Sequence, residues 1–420
     1  MRYANNAIFG SGAKAILPVE NYEVYLAFMN SSVALLYLSV LSPTLNYESG
    51  HISALPISVS NSNILPTIVQ ECIRSSKTDW DSFETSWDFT RHPLVRGAST
   101  VAEAYAAWET ECNDRFTQLK ANEEELNRIF IDIYGLQDEL TPEVADKDVT
   151  VRRADLGRDI RSLISYAVGC MFGRYSPYKE GLIYAGGEWD YNQYEDMAWL
   201  AEGKPDVMEF HKAGTHFFPD QDNIIPICDE EYFADDIVDQ FIEFIAVVYG
   251  QSTLEENIKF IADALGGKGA TPKEVIRNYF LKDFFADHCK IYQKRPIYWL
   301  FDSGKQNGFK ALVYLHRYTP DTIGKLRVDY LHRLQRVYAR EIERMQDMID
   351  NSKNPREVTA STKRKEKLQK QLKECREYDE KIAHLALARI ELDLDDGVKV
   401  NYEKVQTAAD GRKYPVLGKI

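Results

Sequence analysis

Residues 363–394 read KRKEKLQKQLKECREYDEKIAHLALARIELDL, and residues 325–349 read KLRVDYLHRLQRVYAREIERMQDMI. In both stretches apolar residues recur three and four positions apart, which is the spacing of one face of an α-helix, and charged residues fill the positions between them. Residues 351–362, which include Pro355, interrupt the pattern. The two stretches therefore predict long helices that pack as an antiparallel hairpin with a coiled-coil-like seam.

The rest of the chain shows mainly helical patterns and few strand signals. Helices are predicted over Val24–Leu41, Val101–Ile133, Val151–Phe172, Ile237–Tyr249 and Thr253–Leu265. A β-hairpin is predicted from Arg295–Leu300 and Lys310–Leu315, and a short strand from Ile52–Ile57. We therefore expect an α+β fold that is mostly helical.

Charge is distributed unevenly along the chain. The net charge of −14 argues against a protein whose whole surface binds DNA. Residues 180–263 hold 20 Asp and Glu against 3 Lys and Arg, so this acidic segment is expected to avoid DNA and to serve as a protein-docking or solubilising surface. Residues 325–376 hold 15 Lys and Arg against 8 Asp and Glu. This basic hairpin either follows phosphates or is a solvated helical pair or docking arm; its cations include Arg327, Arg333, Arg336, Arg340, Arg344, Lys363, Arg364, Lys365, Lys367 and Lys370.

Cysteine and hydrophobic patterns indicate the compartment. The six cysteines include no CxxC pair, so buried thiols in a reducing cytoplasm are expected. Val24–Leu41 carries no charge, but it is short and is interrupted by Asn30 and three serines. A buried helix is therefore expected there rather than a membrane span, and we expect a cytoplasmic protein with no membrane partner.

Residues 77–89 read KTDWDSFETSWDF, which is unusually rich in aromatic side chains. Trp80, Phe83, Trp87 and Phe89 are expected to pack in the fold rather than to stack on a ligand, because aromatic residues near helical spacing are usually packing residues.

Several motifs resemble one family of enzymes. Residues 46–57 (NYESGHISALPI), preceded by residues 26–31 (LAFMNS), resemble the end of the target-recognition region of TaqI-like methyltransferases. The aromatic string 77–89 resembles the C-terminal part of the PglX family, the adenine-specific DNA methyltransferases of BREX phage-defence systems. So do residues 133–143 (IYGLQDELTPE), 162–175 (SLISYAVGCMFGRY), 294–299 (KRPIYW) and 395–402 (DDGVKVNY). The resemblance covers essentially the whole chain.

The resemblance implies four regions: the end of the target-recognition region (1–58), a helical region (59–176), a mixed acidic α/β region (177–324), and the helical hairpin with the C-terminal tail (325–420). It also implies that the full enzyme transfers a methyl group from S-adenosylmethionine to adenine N6. Neither Asn-Pro-Pro nor Asp-Pro-Pro occurs in the sequence, and no Gly-rich cofactor turn is found. We therefore assign no catalytic residue, cofactor or metal to this chain, and expect as partners double-stranded DNA, the missing methyltransferase domain and other BREX proteins.

Two groups of cations are candidate DNA contacts. Arg152, Arg153, Arg158 and Arg161 cluster at a predicted helix start, with Arg174 at the far end of that helix. Arginine suits phosphate because its contacts are charge-assisted and often bidentate. Lys294 and Arg295 precede Tyr298 and Trp299. Cations together with aromatic rings are typical of grooves that bind single-stranded nucleic acid. Asn46 and Tyr47 of the N-terminal loop are further candidates.

Each candidate also has a structural interpretation. Paired with Asp155 and Asp159, the arginine cluster would be a solvated helix face. Lys294 and Arg295 would lie at a strand edge whose Trp299 belongs to the core. Gly50 and Pro56 would make the N-terminal loop a structural turn. The first hypothesis is that the chain is a DNA-recognition, clamping and docking portion of a BREX-type methyltransferase. The alternative is a protein-interaction scaffold that does not touch DNA, and an independent nuclease is a third possibility.

Overall fold

The computed structural model of the protein describes residues 16, 20–42, 47–58, 65–202 and 216–420, without the side chains of residues 198–202. Contacts between residues divide the chain into two compact units. The first comprises Met1–Ser86 and Ala106–Asp155, and the second comprises Trp87–Tyr105 and Leu156–Ile420. The four regions expected from the sequence remain a prediction.

The first unit is helical in its described part. Its helices are α1 (Tyr22–Asn30), α2 (Ser32–Leu41), α3 (Ser49–Ser53), α4 (Leu65–Asp81) and α5 (Val101–Tyr134), the first residues of α5 belonging to the second unit. Phe28 stacks on Tyr134 with ring centres 5.7 Å apart and meets Phe130 edge-on at 5.5 Å. These rings form the centre of a core to which α1, α2, α4 and α5 contribute.

Two local predictions for the first unit are wrong. The single helix predicted over Val24–Leu41 is two helices bent by 69°, because the Ser31 hydroxyl accepts a hydrogen bond from the Ala34 N–H (3.3 Å) and caps a new helix. No strand forms at Ile52–Ile57, because Ile52 and Ser53 belong to α3. The Glu48 and His51 side chains form a reciprocal cap at the start of this helix.

Within the described residues, no single helix is long and apolar enough to cross a membrane, and only α1 and α2 taken together reach that length and composition.

The second unit contains a small sheet among helices. Its first elements are α6 (Leu156–Met171), α7 (Asn192–Glu202), β1 (Ile225–Pro226), α8 (Ile237–Tyr249), α9 (Leu254–Leu265), α10 (Pro272–Lys282), α11 (Phe284–Ile291), β2 (Tyr298–Asp302) and β3 (Lys310–Tyr314). The strands are antiparallel in the order β1-β3-β2, with Trp299 opposite Val313. Trp299 is fully buried, as expected for a strand whose two faces are covered. The predicted mostly helical fold and the strand pair at β2 and β3 are therefore confirmed.

Further helices follow the sheet, two of them long. In chain order they are α12 (Thr322–Lys325), a π-helical segment (Leu326–Leu331), α13 (His332–Asn351), α14 (Pro355–Ala388) and α15 (Gly397–Lys404). Leu334, Tyr338 and Met345 of α13 share one buried cluster with Leu368, Cys375 and Tyr378 of α14. Only residues 352–354 join α13 to α14, so the two helices pack as an antiparallel pair.

The joint between these helices is shorter than the sequence pattern suggests. Pro355 does not interrupt a helix but starts one, since the first helical position leaves its N–H unbonded in any case. The Asn354 side chain caps this end by accepting a hydrogen bond from the Arg356 N–H at 3.1 Å.

Candidate nucleic-acid interface

Arg152 and Arg153 lie in the first unit, in the segment before α6 rather than on the helix start predicted for them. Asp79 accepts hydrogen bonds from the Arg152 backbone N–H (3.1 Å) and from its Nε (3.3 Å). The Arg152 guanidinium also lies over the ring of Phe83, 3.7 Å from its centre. Arg152 is therefore held by a carboxylate and an aromatic ring of its own unit.

Arg153 has similar surroundings but remains half exposed. Its guanidinium donates to Asn113 Oδ1 (3.2 Å) and to Asp146 Oδ2 (3.3 Å), and it lies 3.8 Å from the centre of the Phe116 ring. Lys120 and then Arg153 lower the pKa of the Asp146 carboxyl, so this partner stays charged. Arg153 is thus held by an amide, a carboxylate and an aromatic ring of its own unit.

Arg158 and Arg161 lie on α6 in the second unit, and both have carboxylate partners. Arg158 Nε is 2.7 Å from Asp159 Oδ1, and Arg161 Nε is 3.7 Å from Asp287 Oδ2. The arginine cluster seen in the sequence is thus divided between two units, and each of its four members has a carboxylate beside it. Their predicted role in DNA contact remains a prediction.

Arg174 is surrounded by tyrosines instead of carboxylates. It donates from Nε to the Tyr175 hydroxyl and from its terminal nitrogen to the Tyr314 hydroxyl, both at 3.1 Å. Its position between buried phenols makes it a poor candidate for a surface phosphate contact. No sequence pattern predicts this environment, because Tyr314 is 140 residues away.

Lys294 and Arg295 lie in the loop between α11 and β2, and their side chains are exposed. Within the described part of the chain neither forms an ion pair, and the same holds for Lys290 at the end of α11. Gln293 and Lys294 both have left-handed backbone conformations, with φ of 51° and 61°. Two successive residues of this kind, neither of them glycine, indicate a loop held in a costly shape by its surroundings.

A buried histidine supports this loop. His288 Nε2 accepts hydrogen bonds from the backbone N–H groups of Ile297 and Tyr298, both at 3.1 Å. Burial lowers the pKa of His288 to about 3, and the positive charge of Arg174 acts in the same direction. The imidazole is therefore neutral near pH 7 and can accept both bonds.

The N-terminal candidates are less informative. Tyr47 is 40% exposed and lies just before α3. Asn46 lies outside the described residues.

The aromatic string does not pack as a whole. Phe89 is buried and meets Tyr175 and Tyr166 edge-on, at 5.3 and 5.9 Å. Trp80, however, is half exposed and Trp87 is fully exposed. The packing prediction is therefore right for Phe89 and wrong for Trp87.

Part of the acidic segment binds cations inside the second unit. Glu230 forms a two-pronged ion pair with Arg364 of α14, and Asp229 pairs with Lys367 one turn further along. Elsewhere in the segment, the fully buried Asp236 lies 2.8 Å from Arg277. One side of the basic hairpin is thus neutralised by the chain itself.

Other cations of the hairpin have no such partner. Among the described residues, no ion pair involves Arg336 or Arg340 of α13, or Arg376 of α14. Arg336 and Arg376 border a groove of about 370 Å³ whose walls are completed by His332, Gln335, Ala339 and Leu372. The sequence pattern placed Arg336 and Arg340 in a basic hairpin, but it did not distinguish them from the neutralised Arg364 and Lys367.

No family model matches the chain. The chain is 46% identical over 390 residues to the adenine-specific methyltransferase PglX of Lacticaseibacillus casei (strain Zhang), an alignment that covers 91% of this chain and 31% of that protein. It is 36% identical over 435 residues to the adenine-specific methyltransferase BrxX of Escherichia coli O9:H4 (strain HS), covering 96% of this chain and 34% of that protein. The chain therefore spans about a third of the length of the curated relatives it matches. The resemblance to PglX found in the sequence is confirmed: over nearly all of its length, the chain is similar to one part of these adenine-specific methyltransferases.

Proposed function

We propose that this chain is the DNA-recognition, clamping and docking portion of a BREX-type adenine-N6 DNA methyltransferase. The names of its relatives support the class of enzyme, and the chain matches about a third of their length. In this proposal, S-adenosylmethionine and the methyl transfer belong to a methyltransferase domain outside the matched part. The matched part contributes affinity for double-stranded DNA and contacts with that domain and with other BREX proteins.

The observation that carries the proposal is the loop between α11 and β2. It exposes Lys294 and Arg295, next to the exposed Lys290 at the end of α11, and its two left-handed residues cost about 1–3 kcal/mol each in conformational free energy. Such a cost persists only where the surrounding structure imposes it, and here the neutral His288 fixes the backbone on the β2 side. Cations without carboxylate partners can bind phosphate oxygens without first breaking an ion pair.

The test is the fluorescence anisotropy of a labelled mixed-sequence duplex with the full 420-residue chain, from low to physiological salt. We expect binding that weakens steeply with salt. The double variant Lys294→Glu/Arg295→Glu should bind about ten-fold more weakly, with a salt slope smaller by about 0.9 for each phosphate that the loop no longer neutralises.

A matched control uses two exposed lysines that also lack an ion pair in the described structure, Lys259 on α9 and Lys268 after it. Lys259→Glu/Lys268→Glu changes the net charge by the same amount. An equal decrease of affinity in both double variants would attribute binding to overall charge and remove the loop from the proposal. A wild-type chain that binds no duplex at low salt would refute the proposal itself.

A second candidate function, a scaffold that binds proteins without touching DNA, rests on an apolar surface. Four apolar side chains of α2 are exposed, Leu35, Leu36, Val40 and Leu41, and Val40 is exposed over 76% of its surface. Exposed apolar groups grouped on one element are typical of protein-binding surfaces. For this function, Leu36→Glu/Val40→Glu should abolish co-purification with the remaining two thirds of the enzyme at high and low salt alike, and unchanged co-purification would exclude it.

A further inference from the structure

We propose that one face of α13, together with Arg376 of α14, binds the phosphate backbone of duplex DNA. This inference rests on the proposed function and adds to it a second contact surface, separate from the loop between α11 and β2. The surface is called the arginine row, and it consists of Arg333, Arg336, Arg340 and Arg344.

The spacing of the arginine row places all four side chains on one side of the helix. At 100° per residue, positions separated by three, four and four residues fall within about 80° of one another. All four are exposed, and they lie about 130° around α13 from its buried residues Leu334, Tyr338 and Met345. At 1.5 Å per residue the row is about 16 Å long, over which a duplex carries roughly ten phosphates at one charge per 1.7 Å.

The middle of the row is free of internal ion pairs. In the part of the chain that the structure describes, Arg336 and Arg340 pair with no carboxylate, whereas Arg344 lies 3.1 Å from Glu341. Arg333 lies over the ring of Phe233, 5.3 Å from its centre. The positive charge of the row is thus least compensated at its centre. Towards the C-terminal end of α13, the acidic residues Glu343 and Asp347 reduce it.

The groove beside the row supplies a second, independent observation. Arg336 from α13 and Arg376 from α14 stand on its two walls, and neither forms an ion pair among the described residues. His332 at the same groove is turned to Asp379, with Nε2 3.0 Å from Oδ1, and Asp379 also accepts a bond from Arg327 at 2.6 Å. The nearby carboxylate is therefore already occupied, and two guanidinium groups remain for an anion that enters the groove.

Backbone phosphate fits this arrangement better than an acidic protein surface does. A straight row of cations on one helix matches the regular linear spacing of charge along a duplex, and phosphate contacts fix the register of a protein on DNA without reading its sequence. The chain's own carboxylates Glu230 and Asp229 lie on the other side of the hairpin, where they pair with Arg364 and Lys367. The surface would therefore position a duplex and leave base recognition to other elements.

The test compares three double variants of the full chain in the anisotropy assay. Arg336→Glu/Arg340→Glu reverses the centre of the row, and Arg336→Lys/Arg340→Lys keeps the charge. Lys363→Glu/Lys370→Glu is the matched control, because these exposed lysines lie on α14 about 120° around the helix from Arg376 and have no ion pair among the described residues. Circular dichroism and the melting temperature verify that each variant is folded.

We expect the reversal to weaken duplex binding about ten-fold or more and to reduce the salt slope by about 2, while the lysine variant keeps most of the affinity. Arg376→Glu should reproduce part of this decrease in affinity. If the wild type binds DNA and the reversal binds as tightly, or if the control is weakened as much, the arginine row is excluded and the proposed function stands. If the wild type binds no DNA, the proposed function itself fails.

Discussion

Two groups of four arginines, each spread over ten to twelve residues of sequence, have different surroundings in the structure. In the first group, Arg152, Arg153, Arg158 and Arg161 each lie within 3.7 Å of a carboxylate oxygen. In the second group, the arginine row on α13, the central Arg336 and Arg340 form no ion pair among the described residues. A paired arginine must exchange its carboxylate for a phosphate, and the carboxylate is then left beside the negative charge of the DNA. The number of arginines in a segment therefore says little about their availability.

The largest expected effect is on the stability of the first unit. Asp79 is buried, accepts two hydrogen bonds from Arg152, and lies 4.0 Å from the largely buried Arg115. Asp79→Ala leaves both cations without this partner and should lower the free energy of unfolding by about 3 kcal/mol, measured by urea denaturation. Arg336→Ala is the control and should change it by less than about 0.5 kcal/mol. Equal effects would remove the distinction between the two groups.

The second prediction concerns the loop that carries Lys294 and Arg295, the third group of cations. Burial holds the pKa of His288 at about 3 in the folded protein, whereas the unfolded chain takes up this proton near pH 6.5. Between these values the unfolded state binds more protons, so this histidine reduces stability as pH falls from 6.5 towards 3, by about 2 kcal/mol at pH 5.

His288→Gln should keep an acceptor for the loop and remove that proton uptake. The stability difference between wild type and variant, measured by urea denaturation, should therefore shift by about 2 kcal/mol in favour of the variant between pH 7.5 and pH 5. The exposed His384 on α14 provides the control variant, His384→Gln, which removes an imidazole outside this loop. A stability difference for His288→Gln that does not change between the two pH values would show that His288 does not hold the loop in its neutral form.

The smallest effect is expected on the neutralised side of the hairpin. Glu230→Gln removes the carboxylate that forms the two-pronged pair with Arg364, and leaves only the more distant Glu341, at 3.9 Å, in competition with phosphate for this arginine. Duplex affinity should rise about three-fold at low salt, with a slightly steeper salt slope. Glu366→Gln, at an exposed position of α14, makes the same charge change without releasing Arg364 and should have less effect. An equal rise in both variants would mean that the pairing of Arg364 does not limit its contact with DNA.

Much of the fold could be predicted because its signals are local. The periodicity of Leu334, Tyr338 and Met345 identified the helix that buries them, and the strand predicted over Arg295–Leu300 overlaps β2. The errors arose where a single polar side chain decides the backbone. Ser31 ends one helix and caps the next, and Asn354 starts α14 with a proline that the pattern placed in the joint. Such caps contribute only about 1 kcal/mol and leave the periodicity almost unchanged.

The candidate site could be predicted only in part, because its electrostatics depend on distant residues. Arg152 meets Asp79 across 73 positions of sequence, and Arg364 meets Glu230 across 134. No spacing rule connects such pairs. The same limit explains why Trp87, which is fully exposed, could not be told from Phe89, which is buried two residues later.

Residue order alone specifies the elements of this protein, namely long amphipathic helices, a small antiparallel strand pair and the kinship with part of the PglX methyltransferases. This is possible because helix and strand periods and sequence identity are properties of neighbouring positions. The folded chain, in contrast, decides which charges are neutralised and which remain exposed. Ion pairing depends on distances of a few ångströms between residues that folding brings together, and the exposure of Arg336 and Arg340 on α13 results from that arrangement.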